Sequence, residues 1–300
     1  MKKRLITGFI LLAVLIPLVV IEALLPAFYV VAVGFTAIGS YEMLKLYQHE
    51  KKYSFGVKAV ITCATVLSFL CGLTFMSDLI YGKPIYKLIC FSSLLVSISM
   101  QLSLLVFSKD FDASDIGKSL ATSTYVGFGV ASLVALRLLG VRFIAYLFII
   151  TILTDVFAYF FGMLFGKHKM IERISPKKTW EGAVGGAIIG TLAATIFAFS
   201  YGKLFPQMEC NTIFDSLLDL SKINDVILFV CILLVSLLTS VAGQIGDLVA
   251  SRLKRTYGIK DFSNIFPGHG GFLDRFDSSI LASMVFNALF IIFSLFVLVI

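Results

Sequence analysis

The sequence predicts an all-α, polytopic integral membrane protein of about nine transmembrane helices, with its N-terminus in the cytoplasm. Of the 300 residues, 59% are hydrophobic and only 14% are charged, whereas a soluble domain carries roughly 25% charged residues. The mean hydropathy is +0.98. This composition excludes a water-soluble globule, a disordered chain, a coiled coil and a typical nucleic-acid-binding domain, so no nucleic acid is expected as a partner.

The apolar stretches set the number and order of the helices. A helix needs roughly 20 mostly apolar residues to cross the hydrocarbon core of a bilayer. The first stretch follows MKKR like a signal peptide, but its length and the further spans after it favour a retained first helix. The predicted spans lie at about 5–21, 24–44, 59–77, 88–107, 119–139, 143–165, 181–201, 226–249 and 278–299.

The basic residues predict which loops face the cytoplasm, because cytoplasmic loops collect Lys and Arg. With a cytoplasmic N-terminus, 19 of the 25 basic residues fall on the cytoplasmic side and 6 on the other. The net charge of +7 therefore indicates the orientation of the chain in the membrane before it indicates any binding partner. This arrangement places the loops at 166–180 and 250–277 on the cytoplasmic side of the cell (inner) membrane.

The chain divides into two parts of different character. Residues 1–140 are plain apolar spans with short loops, expected to form a scaffold with lipid-facing and dimer surfaces. Residues 141–300 contain the unusual polar residues, and they are expected to form the catalytic domain with its cytoplasmic loops 166–180 and 250–277. The five cysteines have no CxxC pair, so we expect them to be apolar filler and predict no zinc site.

Two carboxylates lie where a bilayer disfavours them. Asp155 is well inside the span at 143–165, and Asp247 is near the cytoplasmic end of the span at 226–249. An ionisable residue at the centre of a span costs about 2.5–3.5 kcal/mol and usually faces a cavity, a partner or a metal. Two structural alternatives stay open: Asp247 could be a helix-end anchor paired with a Lys or Arg, and Asp155 could be a buried packing residue.

Helical spacing places Asp247 in a polar stripe that runs toward the cytoplasm. The stripe combines a bare glycine, a hydroxyl and basic groups with the carboxylate. The residues that share its helix face or lie beside it are Gly243, Ser251, Lys254 and Arg255.

The segment KRTYGIKDFSNIFPGHGGFLDRFDS at 254–278 combines a glycine-rich turn with charges of both signs. Glycines let backbone N–H groups approach an anion closely, and carboxylates suit a hard cation such as Mg²⁺. Asp274 and Asp277 can point the same way if the last helix begins there, or they can complement the dipole of that helix. His269 has no second His or Cys nearby, so we expect a phosphate contact or a hydrogen-bonded turn residue.

The other cytoplasmic loop, GKHKMIERISPKKTWEGAVGG at 166–186, has two interpretations. Lys177 and Lys178 are either a positive-inside flank before a helix capped by Thr179, or a polyphosphate clamp. Trp180 fits an interfacial anchor. Small residues recur every four positions and predict a face for close helix packing, at Gly182, Gly186 and Gly190.

Together these residues predict phosphoryl or nucleotidyl transfer at the cytoplasmic membrane face, because a metal ringed by cations can neutralise two phosphates and align them. The sequence contains no Walker A, HExxH or GxSxG motif. An ion-coupled transporter and a polyprenol or lipid kinase are alternatives, since buried carboxylates also mark ion pathways. The crowding of unusual residues in two cytoplasmic loops favours an enzyme.

Residues 150–280 resemble the phosphatidate cytidylyltransferases, also called CDP-diglyceride synthetases. In the family's pattern, Ser-x-apolar-Lys-Arg and Lys-Asp are followed by Pro-x-His-Gly-Gly and Asp-Arg-apolar-Asp. Asp247 after a glycine, Ser175–Thr179 with Glu181, and the segment from Asp155 to Lys167 match as well. Ala250 departs from the pattern, because many bacterial members carry Glu before the serine. The pattern is met by Ser251, Lys254, Arg255, Lys260, Asp261, Pro267, His269, Gly270, Gly271, Asp274, Arg275 and Asp277.

The resemblance implies a reaction in which CTP and phosphatidate give CDP-diacylglycerol and pyrophosphate. It also implies dependence on Mg²⁺, a second, monovalent cation such as K⁺, and a homodimer. By motif matching, the metal ligands would be Asp247, Asp274 and Asp277, with Lys254 and Arg275 as further catalytic residues. The residues implied to bind substrate are Ser175, Lys177, Lys178, Thr179, Glu181, Ser251, Arg255, Lys260, Asp261, His269, Gly270 and Gly271.

Overall fold

The structure is a computed structural model that describes the chain except residues 1, 209, 216, 219, 221, 222, 267, 269 and 300. Short pieces accompany the main helices: 3-10 turns at Glu22–Leu24 and Pro206–Met208, a π-helical segment at Ser123–Phe128, and strands β1 (Lys169–Ile171) and β2 (Ser175–Thr179). The α-helices are α1 (Lys2–Val20), α2 (Leu25–Tyr47), α3 (Phe55–Tyr81), α4 (Pro84–Phe107), α5 (Ala113–Thr122), α6 (Gly129–Leu139), α7 (Val141–Phe165), α8 (Trp180–Phe199), α9 (Tyr201–Leu204), α10 (Asp225–Thr256) and α11 (Leu273–Val299).

The all-α membrane fold predicted from the sequence is confirmed. Within the described residues, eight helical segments are long and apolar enough to cross a membrane. They correspond to the second through ninth predicted spans, and α5, the π segment and α6 together form one of them, at Ala113–Leu139. The first predicted span is helical as α1 but is not one of these eight. The count of nine and the orientation of the N-terminus stay predictions.

Both loops expected to carry the chemistry contain more regular structure than predicted. Helix α10 continues to Thr256 and α11 begins at Leu273, so the connection between them is shorter than the predicted loop 250–277. The predicted limits followed hydropathy, whereas polar residues such as Lys and Arg continue a helix as well as apolar ones do. The predicted loop 166–180 contains an antiparallel two-stranded sheet in which Lys169 pairs with Thr179.

The chain forms two compact units, and neither is continuous in sequence. The first unit contains Met1–Leu138 and Arg252–Ile280, and the second contains Leu139–Ser251 and Leu281–Ile300. The functional division into a scaffold at 1–140 and a catalytic part at 141–300 stays a prediction.

In the first unit, α3 packs against α4 through small polar residues. Ser68 and Ser97 share a hydrogen bond of 3.0 Å, and the Ser97 hydroxyl donates to the Ala64 carbonyl at 2.8 Å. The π segment also lies close to α3, because a Cβ added at Gly127 would be 2.7 Å from the Thr65 carbonyl oxygen. Such contacts between small residues are typical of helices that pack inside a membrane.

In the second unit, α7 and α8 pack closely along the glycine face that the sequence predicts. A Cβ at Gly182 would lie 2.5 Å from the Ala158 carbonyl oxygen, and one at Gly186 would lie 2.8 Å from the Ala158 Cβ. A Cβ at Gly190 would collide with the Thr154 hydroxyl. The predicted packing role of these glycines is therefore confirmed.

Buried hydroxyl groups join α10 to this helix pair. Tyr146 of α7 and Ser236 of α10 share a hydrogen bond of 2.6 Å, and Thr195 of α8 donates to the same serine at 3.2 Å. Thr154 and Ser240 share another at 2.7 Å. Ser236 and Ser240 are one helical turn apart, so these bonds fix α10 against α7 and α8 about two turns before Asp247.

Candidate active site

A pocket of about 300 Å³ opens in the second unit among α7, β2, α8 and α10. Its wall combines carboxylates, lysines, an amide and a hydroxyl with apolar residues. The lining residues are Asp155, Ala158, Tyr159, Gly162, Met163, Lys177, Lys178, Thr179, Ala183, Gln244 and Asp247. Sequence reasoning singled out both carboxylates and both lysines of this set, and folding brings them to one cavity.

Asp247 is held at the pocket by an ion pair with Lys178. Both side chains are 30% exposed, so a ligand can reach them. The Ser251 hydroxyl, one helical turn further along α10, donates to Asp247 Oδ1 at 3.4 Å. The pairing agrees with the helix-end anchor that the sequence left open. It also places a carboxylate and an ammonium group side by side on the wall of a cavity.

Asp155 gives the pocket a second carboxylate. Gln244 lines the same pocket, and its Nε2 donates to the Ala183 carbonyl at 3.1 Å. Within the described part of the chain, no group of three or more His, Cys, Asp or Glu residues is arranged to hold a metal. The donors of the pocket nevertheless fit Mg²⁺, which takes one or two carboxylates from a protein and completes its shell with water and phosphate oxygens.

The β-hairpin delivers Lys177 and Lys178 to the pocket. The Thr179 hydroxyl accepts from the Gly182 N–H at 3.2 Å and so caps α8, which agrees with the first of the two interpretations of this loop. At the residue before β1, the His168 carbonyl accepts from the N–H of Trp180, the first residue of α8, at 3.0 Å. These bonds tie both ends of the hairpin to the first turn of α8.

Glu181 strengthens this attachment. Its carboxylate accepts from the His168 N–H at 3.2 Å and contacts His168 Nδ1 at 2.6 Å. Ser175, at the beginning of β2, pairs in register with Ile171. The roles of Glu181 and Ser175 toward substrate stay predictions.

A second carboxylate cluster lies in the first unit, at the start of α11. Lys254 Nζ donates to Asp274 Oδ1 at 2.8 Å, while the N–H groups of Phe262 and Gly271 donate to Oδ2 at 2.8 and 2.9 Å. The Asp274 side chain is only 4% exposed. Lys254 Nζ also lies 5.2 Å from the centre of the Phe262 ring. Both oxygens of this carboxylate are therefore engaged by the protein itself.

Two glycines of the glycine-rich turn next to Asp274 adopt a left-handed backbone conformation, while the predicted contact with an anion stays a prediction. Gly268 and Gly270 have φ angles of 79° and 81°, which L side chains rarely adopt. The Phe266 N–H donates to the Gly270 carbonyl at 3.0 Å and closes the turn. His269, for which a phosphate contact or a turn role was expected, and Pro267 lie outside the described residues.

The other predicted residues of this segment take several positions. Arg255 Nη1 donates to the Ile259 carbonyl at 3.2 Å, and Lys260 and Asp261 are exposed. Asp277 accepts from the Ser278 N–H at 2.8 Å. Arg275 lies in the first turn of α11. The predicted meeting of Asp247 and Asp274 at one metal stays a prediction, as do the substrate roles of this segment.

Sequence reasoning missed the buried carboxylate of Glu42 in α2. Its side chain is fully buried in the first unit, and it accepts hydrogen bonds from the Ser263 hydroxyl and from the N–H groups of Phe272 and Leu273. The signal that singled out Asp155 and Asp247, a carboxylate inside a predicted span, applies equally to Glu42 in the span at 24–44. Glu42 lies near the end of that span, where a charged residue is ordinary, so the sequence alone does not single it out.

Comparison with known proteins assigns this chain to a family. Residues 2–293 match the model of the cytidylyltransferase family. The chain belongs to the cytidylyltransferase family. A relative from Staphylococcus haemolyticus, named phosphatidate cytidylyltransferase, is 31% identical over 295 residues, which cover 97% of this chain and 99% of the relative.

Two further relatives carry the same name. The protein from Staphylococcus epidermidis is 38% identical over 191 residues, or 63% of this chain and 65% of the relative. The protein from Staphylococcus aureus is 37% identical over 213 residues, or 70% of this chain and 73% of the relative. The resemblance drawn from the motifs of residues 150–280 is thus confirmed, and the family match extends over the first half of the chain as well.

Proposed function

We propose that this chain transfers the cytidylyl group of CTP to phosphatidate, giving CDP-diacylglycerol and pyrophosphate. An oxygen of the lipid phosphate attacks the α-phosphorus of CTP. The bond from that phosphorus to the oxygen bridging to the β-phosphate breaks, and pyrophosphate leaves with the electron pair. The lipid phosphate is already an anion, so the reaction needs no dedicated general base.

The observation that carries the proposal is the pairing of Lys178 with Asp247 on the wall of a pocket within membrane-spanning helices. The substrates in the proposal follow from the relatives that are named phosphatidate cytidylyltransferase. A triphosphate needs cations to hold it, and Lys177 and Lys178 offer two at the pocket. When phosphate oxygens displace the carboxylate from Lys178, Asp247 becomes available to another cation.

The pocket carboxylates Asp155 and Asp247 would hold Mg²⁺, and Gln244 lies beside them. When bound, this ion would offset the charge of the phosphates that approach each other in the reaction. Asp274 and Asp277 stay in the proposed ligand set through their motif match. Asp274 would then have to exchange the Lys254 ammonium for the metal, because that ammonium occupies Oδ1.

Three further features complete the proposal: the membrane face, the oligomeric state and a second cation. The reaction takes place at the cytoplasmic face of the cell membrane, which the charge pattern of the loops supports. The enzyme is a homodimer and uses a monovalent cation such as K⁺, both of which rest on the motif resemblance alone.

The test is turnover by the purified full-length protein with CTP labelled at the α-phosphate, phosphatidate and Mg²⁺. We expect the label to move into an organic-extractable CDP-lipid, in step with release of pyrophosphate. Reactions without phosphatidate, and with ATP in place of CTP, serve as controls. Transfer of the γ-phosphate of ATP to a lipid would favour a lipid kinase instead. Ion flux into vesicles without any product would favour a transporter.

A further inference from the structure

The start of α11 rests on one face of α2 within the first unit. Phe35, Gly39 and Glu42 are spaced along α2 so that they share a face. The Phe35 ring stacks on the Phe272 ring, with centroids 4.9 Å apart and planes 17° from parallel. A Cβ at Gly39 would lie 3.4 Å from the Phe272 ring. The apolar part of the contact thus places the α11 start directly over Glu42.

Glu42 completes this contact with hydrogen bonds to the backbone. Its Oε1 accepts from the Ser263 hydroxyl at 2.5 Å and from the Phe272 N–H at 2.9 Å. Its Oε2 accepts from the Leu273 N–H at 2.8 Å. The first N–H groups of a helix have no partner within the helix, and its N-terminus attracts negative charge. Glu42, distant in sequence, therefore caps α11.

The cap continues into the cluster around Asp274. A Cβ added at Gly271 would collide with Glu42 Oε1 and would lie 2.8 Å from the Ser263 hydroxyl, so the carboxylate needs a glycine there. The Gly271 N–H, adjacent to the Phe272 N–H, donates to Asp274 Oδ2 at 2.9 Å. Glu42 and Asp274 thus hold successive backbone N–H groups of the same turn.

We propose that Glu42 is a positioning residue for cytidylyl transfer: its carboxylate fixes the turn that carries Asp274 and the Lys254 ammonium paired with it. The inference rests on the proposed function. Glu42 touches neither substrate nor metal in this assignment. It acts through the backbone of Gly271, Phe272 and Leu273, and it leaves the pocket lysines unchanged.

The test compares Glu42→Gln with the wild type in full-length enzyme. The amide keeps one acceptor oxygen but presents an NH₂ group to the Leu273 N–H, so one cap bond is lost and the turn shifts. A displacement of this kind costs up to about 100-fold in rate. We expect kcat to fall by about 10–100-fold, with the KM for CTP nearly unchanged. Glu42→Asp, which keeps two acceptor oxygens, should recover part of kcat.

Asp115 provides a matched control in the same unit. It is equally buried and accepts hydrogen bonds from Lys51 Nζ at 2.7 Å, from the Tyr53 hydroxyl at 2.8 Å and from the Asp112 N–H at 3.1 Å. Asp115→Asn should lower the melting temperature while kcat stays near that of the wild type. Hydrogen exchange of the segment 262–273 should accelerate in Glu42→Gln and not in Asp115→Asn.

The outcomes separate this inference from the proposed function. A wild-type enzyme without CDP-lipid formation overturns the proposed function and the inference with it. An active wild type together with full kcat in Glu42→Gln overturns the inference alone, as does an equal loss of kcat in both variants. If Glu42→Gln does not fold, Ser263→Ala, which removes a single donor from the cap, must lower kcat without a change in the KM for CTP; unaltered kcat there overturns the inference.

Discussion

Among the described residues, the carboxylates at the pocket and those at the start of α11 differ in what holds them. In the second unit, Asp247 is 30% exposed and its partner is the side chain of Lys178. In the first unit, Asp274 is 4% exposed and Glu42 is fully buried. These two accept hydrogen bonds from backbone N–H groups of the α11 start.

This difference separates groups that can exchange partners from groups that fix the backbone. A partly exposed ion pair is worth only about 0–1 kcal/mol, so an arriving phosphate can replace it at little cost. Removing the acceptor of a buried N–H group costs about 1–3 kcal/mol, because the donor is left without a partner. The pocket is therefore suited to ligand exchange, and the α11 start is suited to holding its geometry.

The largest effect should come from Asp247→Asn. The neutral amide can neither balance the pocket lysine nor attract a cation, so we expect kcat to fall by about 10²–10³-fold. The melting temperature should change little, since the side chain is partly exposed. Steady-state kinetics and thermal melting in detergent measure both. Asp225→Asn, exposed at the other end of α10, is the control and should keep normal turnover. Normal turnover in Asp247→Asn would remove the pocket from the reaction.

Asp274→Asn should lower stability as well as turnover. The asparagine cannot accept from Lys254 and from both backbone N–H groups at once, so we expect a loss of about 1–3 kcal/mol in the free energy of unfolding. Denaturation in mixed detergent measures this loss beside the kinetics. If the variant lost turnover at unchanged stability, Asp274 would be free to exchange its partners as Asp247 is. The proposed difference between the two clusters would then be wrong.

Lys178→Met should act mainly on substrate binding. It removes one cation from the pocket wall and leaves the methylene volume, so the KM for CTP should rise by about tenfold, which corresponds to roughly 1.4 kcal/mol. Initial rates over a range of CTP concentrations test this. Lys169→Met, exposed on the neighbouring strand β1, is the control and should leave the KM unchanged. An equal rise in KM for the two substitutions would indicate that the lysines attract CTP only through their overall positive charge, and would contradict a contact in the pocket.

The smallest effect concerns Asp112, in the segment before α5, whose side chain is 62% exposed. Hydrogen bonds from Lys51 and Ser114 lower the pKa of Asp112 from 3.8 to about 2. Because the pKa is lower in the folded state, the stabilisation is present above pH 3.8 and is lost as the pH falls through about 2.

Thermal melting of Asp112→Asn from pH 5 to pH 2 tests this assignment. The variant should melt slightly below the wild type at pH 5, and the two curves should converge in acid. Asp110→Asn, which alters an exposed carboxylate two residues earlier, should keep the acid dependence of the wild type. Parallel curves for Asp112→Asn and the wild type would contradict the ion pair with Lys51.

Hydropathy predicted the spanning helices because crossing a bilayer imposes a length and a composition on each. Hydropathy did not predict that α10 runs on to Thr256, since that end is polar, although the helical spacing from Gly243 to Lys254 fits a helix that continues there. The β-hairpin at 169–179 was also missed. Its strands of three and five residues carry no alternating pattern, and they are fixed by contacts with α8 rather than by their own sequence.

The pocket residues could be predicted because Asp155, Asp247 and the paired lysines stand out against apolar surroundings. Glu42 also lies inside a predicted span, but its contacts could not be predicted in the same way. Its role depends on the start of α11 packing against α2, and the two segments are more than 200 residues apart in the chain. No local pattern in α2 indicates which distant N–H groups its carboxylate will meet.

The tight contact between α7 and α8 has a mechanical consequence. With Gly182 and Gly186 the two helices approach each other closely, and both ends of the hairpin that joins them are bonded to the first turn of α8. The lysines of the hairpin are therefore coupled mechanically to both helices. We therefore expect Asp155 of α7 to keep its spacing from those lysines when the helix pair tilts.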